Sequence, residues 1–163
     1  MDGKKVSESA VLTAQLMSPQ DANAAGNVHG GVIMKLIDDA AGAVAYRHAR
    51  SNVVTVSIDR LNFLHPIFVG DLVTFKASIN MAGKTSMDIG VRVEAENLIT
   101  GEVRHTASAH LTYVALDAHS KPKPVAPLIL ETQEEERRFR EALARKELRK
   151  HGSTIPFSLG NLA

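Results

Sequence analysis

Three kinds of residue that could act together on a carbonyl group lie close in the chain: the amide Asn23, the glycines Gly30 and Gly31, and the acid Asp38. The glycines open an apolar run that reads as a helix. Helix N-termini expose backbone N–H groups with partial positive charge, and glycine lets a ligand approach them closely. A carbonyl oxygen held there would be polarised as in an oxyanion hole. Asp38 is a candidate general base or nucleophile for the same carbonyl. Its neighbours Ile37, Ala40, Ala41, Ala43 and Val44 look like a buried face, an unusual setting for an acid. Asp39 reads as the solvated or structural member of the pair. Asn23 alone has the pattern of a turn residue as much as of a catalytic one. His29 could orient a substrate, but it reads first as a residue that shapes the turn.

The spacing sets a constraint. Gly30 and Asp38 are eight residues apart, roughly 12 Å along a helix. A carboxylate that far along cannot easily reach a carbonyl bound at the start of its own helix. Two copies of the helix lying antiparallel would bring the entrance of one to the middle of the other. The sequence therefore predicts a two-fold dimer with composite sites.

The elements that must position these residues follow from periodicity. Val11 to Met17 reads as a first strand, and the helix runs from about Gly31 to about His48. Its small residues Ala40, Ala41, Gly42, Ala43 and Ala45 would let it lie close against a sheet. Val53 to Phe63, Leu72 to Met81, Met87 to Ala95 and Arg104 to Leu116 then alternate with period two. In the first of these, Val54, Val56 and Ile58 are expected on one face. One long helix against consecutive antiparallel strands predicts an α+β fold with a sheet wrapped around a central helix. Pro122, Pro124 and Pro127 form a connector. Thr132 to Glu135 is a capping box that opens a second helix, with Phe139, Leu143 and Leu148 as its apolar stripe. That helix is expected to serve docking or assembly. Residues 1–130 are read as one domain and 131–163 as an appended helix and tail, mobile from Gly152 unless a neighbouring subunit holds it.

Composition removes several classes of function. The 163 residues carry 19 basic and 18 acidic side chains, a net charge of +1, so nothing argues for nucleic acid or a membrane surface. Cysteine is absent, which removes thiolate chemistry and Cys-based metal sites. No signal peptide or membrane span is apparent, and a cytoplasmic protein is expected. The histidines are too scattered for metal-ligand spacing. Gly83-Lys84-Thr85 mimics the end of a phosphate-binding loop, but Ser78 stands where the pattern needs glycine and a strand follows instead of a helix. The turn Gly83 to Ser86 remains a candidate for contacts to a ligand's phosphates. Ser86 to Gly90 lacks the first glycine of a nucleophile elbow.

Taken jointly, Asn23, the segment Gly26-Asn27-Val28-His29-Gly30-Gly31 and Asp38 resemble the acyl-CoA thioesterases of the hotdog fold. Further similar segments are Val53-Val54-Thr55, Asn62-Phe63, Val69-Gly70-Asp71, Gly83 to Met87 and Thr112-Tyr113-Val114. The likeness covers about residues 10 to 130. The resemblance implies an antiparallel sheet around a long helix, hotdog dimers assembled as a trimer of dimers, and hydrolysis of fatty acyl-CoA to fatty acid and CoA. It implies no cofactor and no metal, coenzyme A being part of the substrate. The family's helix carboxylate maps to Asp38, its amide from the partner subunit to Asn23 and its helix-start N–H to Gly30. Asn27, His29 and Gly31 are candidate substrate contacts. Gly83, Lys84, Thr85 and Ser86, with Arg60 and Asn62, are candidates for the phosphates and adenine of CoA. Two other classes stay open: a hotdog protein that binds acyl-CoA without turnover, and a hydratase or dehydratase using His29 with Asp38.

Overall fold

A computed structural model describes residues 1–151. The expectation for Gly152 onward lies outside the described residues. The elements run β1 (Lys4–Lys5), β2 (Val11–Leu16), α1 (Gly30–Ala49), β3 (Asn52–Phe63), β4 (Asp71–Ala82), β5 (Ser86–Asn97), β6 (Val103–Leu116), β7 (Leu128–Ile129) and α2 (Gln133–Lys150). Five strands pair antiparallel in the order β2-β4-β5-β6-β3. The inner residues of β4, β5 and β6, among them Phe75, Ile79, Ile89, Val93 and Leu111, pack with α1 in one core.

The helix forms where its ends are closed. His29 accepts the Gly31 N–H on Nδ1 at 3.0 Å and caps the first turn. Arg50, at φ 50°, takes the left-handed position after the last turn and gives its N–H to the Tyr46 carbonyl. The buried stripe is Ile33, Ile37, Ala40, Ala41, Val44, Ala45 and His48, the spacing of one helix face. Ala43, grouped with that face from sequence, is exposed; it falls outside the stripe. Asp38 is half-buried at the stripe's margin and Asp39 is exposed.

The first alternating strand needs a correction. Val54 and Val56 are exposed, 45% and 59%. The register with β6 slips between Thr55 and Ser57, so Val56 has no opposite residue and the alternation breaks there. A second irregularity lies between Asp59 and Asn62, where Arg60 has φ 51°. β3 is also a sheet edge, with one side unpaired among the described residues.

The sequence did not disclose the parallel pair of β1 with β7, each two residues long. The proline connector is pinned on the way there: Lys123 N–H donates to Ala115 O and Val125 N–H to Lys84 O. Lys4 Nζ then donates to the His48 carbonyl at 2.7 Å, closing the end of α1.

The capping box of α2 is present, Thr132 with Glu135. The expected apolar stripe is not what holds this helix. Leu143 and Leu148 are exposed, and the buried residue is Ala142. The helix is tied to the sheet face turned away from α1 by charge. Arg145 pairs with buried Asp88 at 2.9 Å, and Arg149 pairs with Asp59. Asn80 Nδ2 also donates to Asp88, at 3.0 Å. A polar outer sheet face selects arginine over leucine as the contact.

Candidate active site

The Asn23 loop is a compact turn. Asn23 Oδ1 accepts from Ala25 N–H at 3.0 Å and Asn27 N–H at 3.2 Å, and Asn23 N–H donates to Asn27 O at 2.7 Å. Gly26 supplies φ 88°, which side-chain-bearing residues rarely adopt. His29 N–H to Asp21 O and Val28 N–H to Ile67 O fasten the loop at the helix start. Asn23 thus both shapes its turn through Oδ1 and keeps Nδ2 as a donor with no acceptor among the described residues.

A cavity of about 350 Å³ sits here, lined by Asn23, Asn27, Gly30, Ile33, Phe63 and His65 with their neighbours. Gly30 is the first residue of α1, and its N–H has no acceptor among the described residues. A Cβ at Gly30 would meet only Phe63 Cζ at 3.6 Å, an ordinary contact. The Gly31 N–H, by contrast, is engaged by His29. The structure therefore brings Asn23 and Gly30 together. It does not bring Asp38 to them; the acid is absent from the cavity's lining.

Asp38 has its own setting. Its Oδ1 accepts the Tyr113 hydroxyl at 2.5 Å and the Thr55 hydroxyl at 2.9 Å. Oδ2 has no hydrogen-bond partner among the described residues, and none of the described Lys, Arg or His side chains forms an ion pair with Asp38. Thr55 and Tyr113 face each other in register on β3 and β6. Burial, followed by the hydrogen bond to Asp38, pushes the Tyr113 phenol well above its ordinary range, so it stays protonated and donates. Both residues stood in segments carrying the family resemblance without being given a role. Tyr113 had a signal: it interrupts the small and aliphatic inner face of β6, Ala107, Ala109, Leu111 and Ala115, and a buried phenol requires a partner.

The remaining candidates lie elsewhere. In the β4–β5 turn, Gly83 N–H donates to Ser86 O, and Lys84 O and Thr85 O accept from Val125 and Ala115. A Cβ on Gly83 would approach two movable side-chain ends, Lys146 Nζ at 2.9 Å and Ser86 Oγ at 3.0 Å, which places the Lys146 ammonium of α2 beside this turn. Lys84 is exposed; Thr85 and Ser86 are half-buried. Ser86 pairs with Val114, next to Tyr113, which puts the turn at the level of Asp38 and not of Gly30. Arg60 and Asn62 are both exposed, Arg60 at the β3 irregularity. A larger cavity, about 660 Å³ between α2 and the outer sheet face, is lined by Lys76, Ser78, Arg92 and Arg137 among others and contains none of Asn23, Gly30 or Asp38. No group of three or more His, Asp or Glu side chains is placed to hold a metal ion among the described residues.

A long helix cradled by a five-stranded antiparallel sheet defines the hotdog class. The family model described as the thioesterase superfamily matches residues 25–102. A solved apo-hexameric acyl-CoA thioesterase superposes with a TM-score of 0.90 at 39% identity, over 95% of this chain and 99% of that one. The acyl-CoA hydrolase of Staphylococcus aureus, solved with butyryl-CoA, CoA and CoA disulfide, gives a TM-score of 0.85 at 35% identity, with 91% of each chain covered. Its variants with alanine in place of one aspartate, one asparagine or one threonine superpose similarly. The mouse cytosolic acyl coenzyme A thioester hydrolase is 38% identical over 156 residues, 93% of this chain, but this chain spans only 41% of that protein's length. The chain belongs to the acyl-CoA thioester hydrolases of the thioesterase superfamily.

Proposed function

We propose that this protein hydrolyses acyl-CoA thioesters to a free acid and CoA, at sites shared between two copies of the chain. The Gly30 N–H of one subunit polarises the thioester carbonyl, Asn23 Nδ2 positions the thioester or the water, and Asp38 of the partner subunit acts through Oδ2. As general base, Asp38 takes a proton from water, the hydroxide adds to the carbonyl carbon, and the thiolate of CoA leaves and is protonated. As nucleophile, it forms an anhydride that water then opens. The geometry suits either route, since Oδ2 is unencumbered in both.

The observation that carries this reading is a spacing. In the three Staphylococcus aureus variants the asparagine precedes the aspartate by 15 positions and the threonine follows it by 17, as Asn23, Asp38 and Thr55 are spaced here. The exposed edge of β3, with Val54 and Val56 outward, is the surface on which a second copy would dock, and hexameric relatives favour a trimer of such dimers. Lys84, Thr85 and Ser86, with Arg60 and Asn62 further off, are offered for the CoA phosphates and adenine. The names of the mammalian relatives favour a cytosolic location, and no helix among the described residues is long and apolar enough to cross a membrane. His29 caps the helix start while Asp38 lies nine residues on, which argues against a histidine–acid hydratase pair in one chain.

The test is release of free thiol from acyl-CoAs of short to long chain, with wild type and Asp38→Ala side by side. Thiol release that depends on Asp38 is expected. Binding of acyl-CoA with no release from any member would move the protein to the non-catalytic class.

A further inference from the structure

We propose that Tyr113 is a positioning residue for Asp38: its hydroxyl fixes the carboxylate through Oδ1 and so dedicates Oδ2 to the reaction. This rests on the thioesterase reading above and adds a residue to it.

Three observations meet. First, both donated hydrogen bonds fall on one oxygen. Tyr113 gives 2.5 Å and Thr55 2.9 Å to Oδ1, and Oδ2 receives nothing from the described residues. A carboxylate on a helix ordinarily turns about its χ angles; two donors on one oxygen remove that freedom before substrate arrives. Second, the two donors differ in stiffness. Thr55 is exposed on an edge strand interrupted by a bulge, whereas Tyr113 is 2% exposed and lies inside the sheet between β5 and β3. Tyr113 is therefore the rigid reference. Third, its hydroxyl also lies 2.9 Å from the Asp38 backbone carbonyl. It touches main chain and side chain of one residue, so it registers the helix against the sheet at the point where the acid projects. Gly42, one turn on, lies beside this ring: a Cβ there would stand in ordinary contact, 3.7 Å from the Tyr113 oxygen.

The charged groups that bear on Tyr113 are Asp38 and, further off, Asp39; Thr55 comes from β3 and the apolar Met87 from β5. No cation among them neutralises Asp38. Both donors that reach its carboxylate are neutral hydroxyls.

The experiment is Tyr113→Phe, which keeps the ring and removes the donor. Relative to wild type, kcat is expected to fall roughly tenfold at the pH optimum with KM nearly unchanged. The acid limb of the pH–rate profile is expected to move to higher pH, because the carboxylate then receives one hydrogen bond fewer. A merely structural tyrosine would lower activity and leave the limb where it was. The limb unmoved, whatever happens to kcat, overturns the proposal. A second measurement does not depend on turnover. The protein has two tyrosines, Tyr46 and Tyr113, so 3-fluorotyrosine labelling gives two fluorine resonances, and Tyr113→Phe identifies one of them. The Tyr113 resonance is expected to shift as Asp38 is protonated and to lose that shift in Asp38→Asn. A Tyr113 resonance indifferent to Asp38→Asn overturns the proposal even if thioester hydrolysis is confirmed. The expected response in a protein that hydrolyses nothing would leave the contact standing and overturn only the thioesterase reading.

Discussion

At the scale of single residues, the account turns on which atoms are engaged and which are left open. Gly31 N–H, Asn23 Oδ1 and Asp38 Oδ1 are engaged within the chain; Gly30 N–H, Asn23 Nδ2 and Asp38 Oδ2 are open among the described residues. On the proposed reading, the open set supplies one oxyanion donor, one positioning donor and one base. Asp38→Asn is expected to lower kcat by about 10²–10⁴, the usual contribution of a general base, with the melting temperature unchanged or raised. Thiol-release kinetics and thermal unfolding on the same sample check both halves. A separate residue sets a pH dependence. Burial holds the His48 imidazole below its ordinary value of 6.5; Nε2 lies 2.8 Å from Ala126 O and Nδ1 has no partner among the described residues. Below that value the unfolded chain takes up a proton that the folded chain refuses. Stability present above pH 6.5 is therefore lost as the pH falls through the unfolded value towards the folded one. Urea midpoints at about pH 7.5 and 5.5 are expected to show the drop, and His48→Gln to flatten it. Asn23, Gly30 and Asp38 were legible in the sequence as residue types at a telling distance. Tyr113 and Thr55 were not given roles, because their proximity to Asp38 arises from strand register, across 75 and 17 residues.

At the scale of elements, α1 and the strands were legible because each alternates or cycles against a single core. β3 was legible in extent but not in facing: a bulge carries no strong composition signal, and one extra residue reverses a period of two. α2 was legible as a helix from its capping box, yet not in how it docks. Leucines suggested an apolar contact, while the partner surface was a polar sheet face, readable only once β5 was placed. The ion pair that ties it there is buried, with Asp88 1% exposed and Arg145 13%. Arg145→Ala leaves Asp88 uncompensated and is expected to cost about 3–5 kcal/mol in urea unfolding. Within α1, Gly42 has room for a methyl group against Tyr113. Gly42→Ala is expected to stabilise by up to about 1 kcal/mol, measured the same way; a loss would show that the ring needs more clearance than the contact distance suggests.

At the scale of the whole molecule, one chain holds Asn23 and Gly30 in one place and Asp38 in another, which on the proposed reading are the two halves of a shared site. The cavity at Asn23 and Gly30 lacks an acid, and Asp38 stands on the open side of the helix near an unpaired edge strand. The distance along the helix pointed to this separation from sequence alone; what sequence could not supply was the exposure of Val54 and Val56, the surface proposed for docking a second copy. The most direct test of the composite site is complementation. Asp38→Ala and Asn23→Ala are prepared separately, each nearly inactive, then unfolded together, refolded and checked by mass spectrometry for subunit exchange. A two-fold site built from both chains gives each mixed dimer one intact site, so about one quarter of wild-type thiol release should return. Mixed dimers demonstrably formed but no more active than their parents would contradict the shared site and the account built on it.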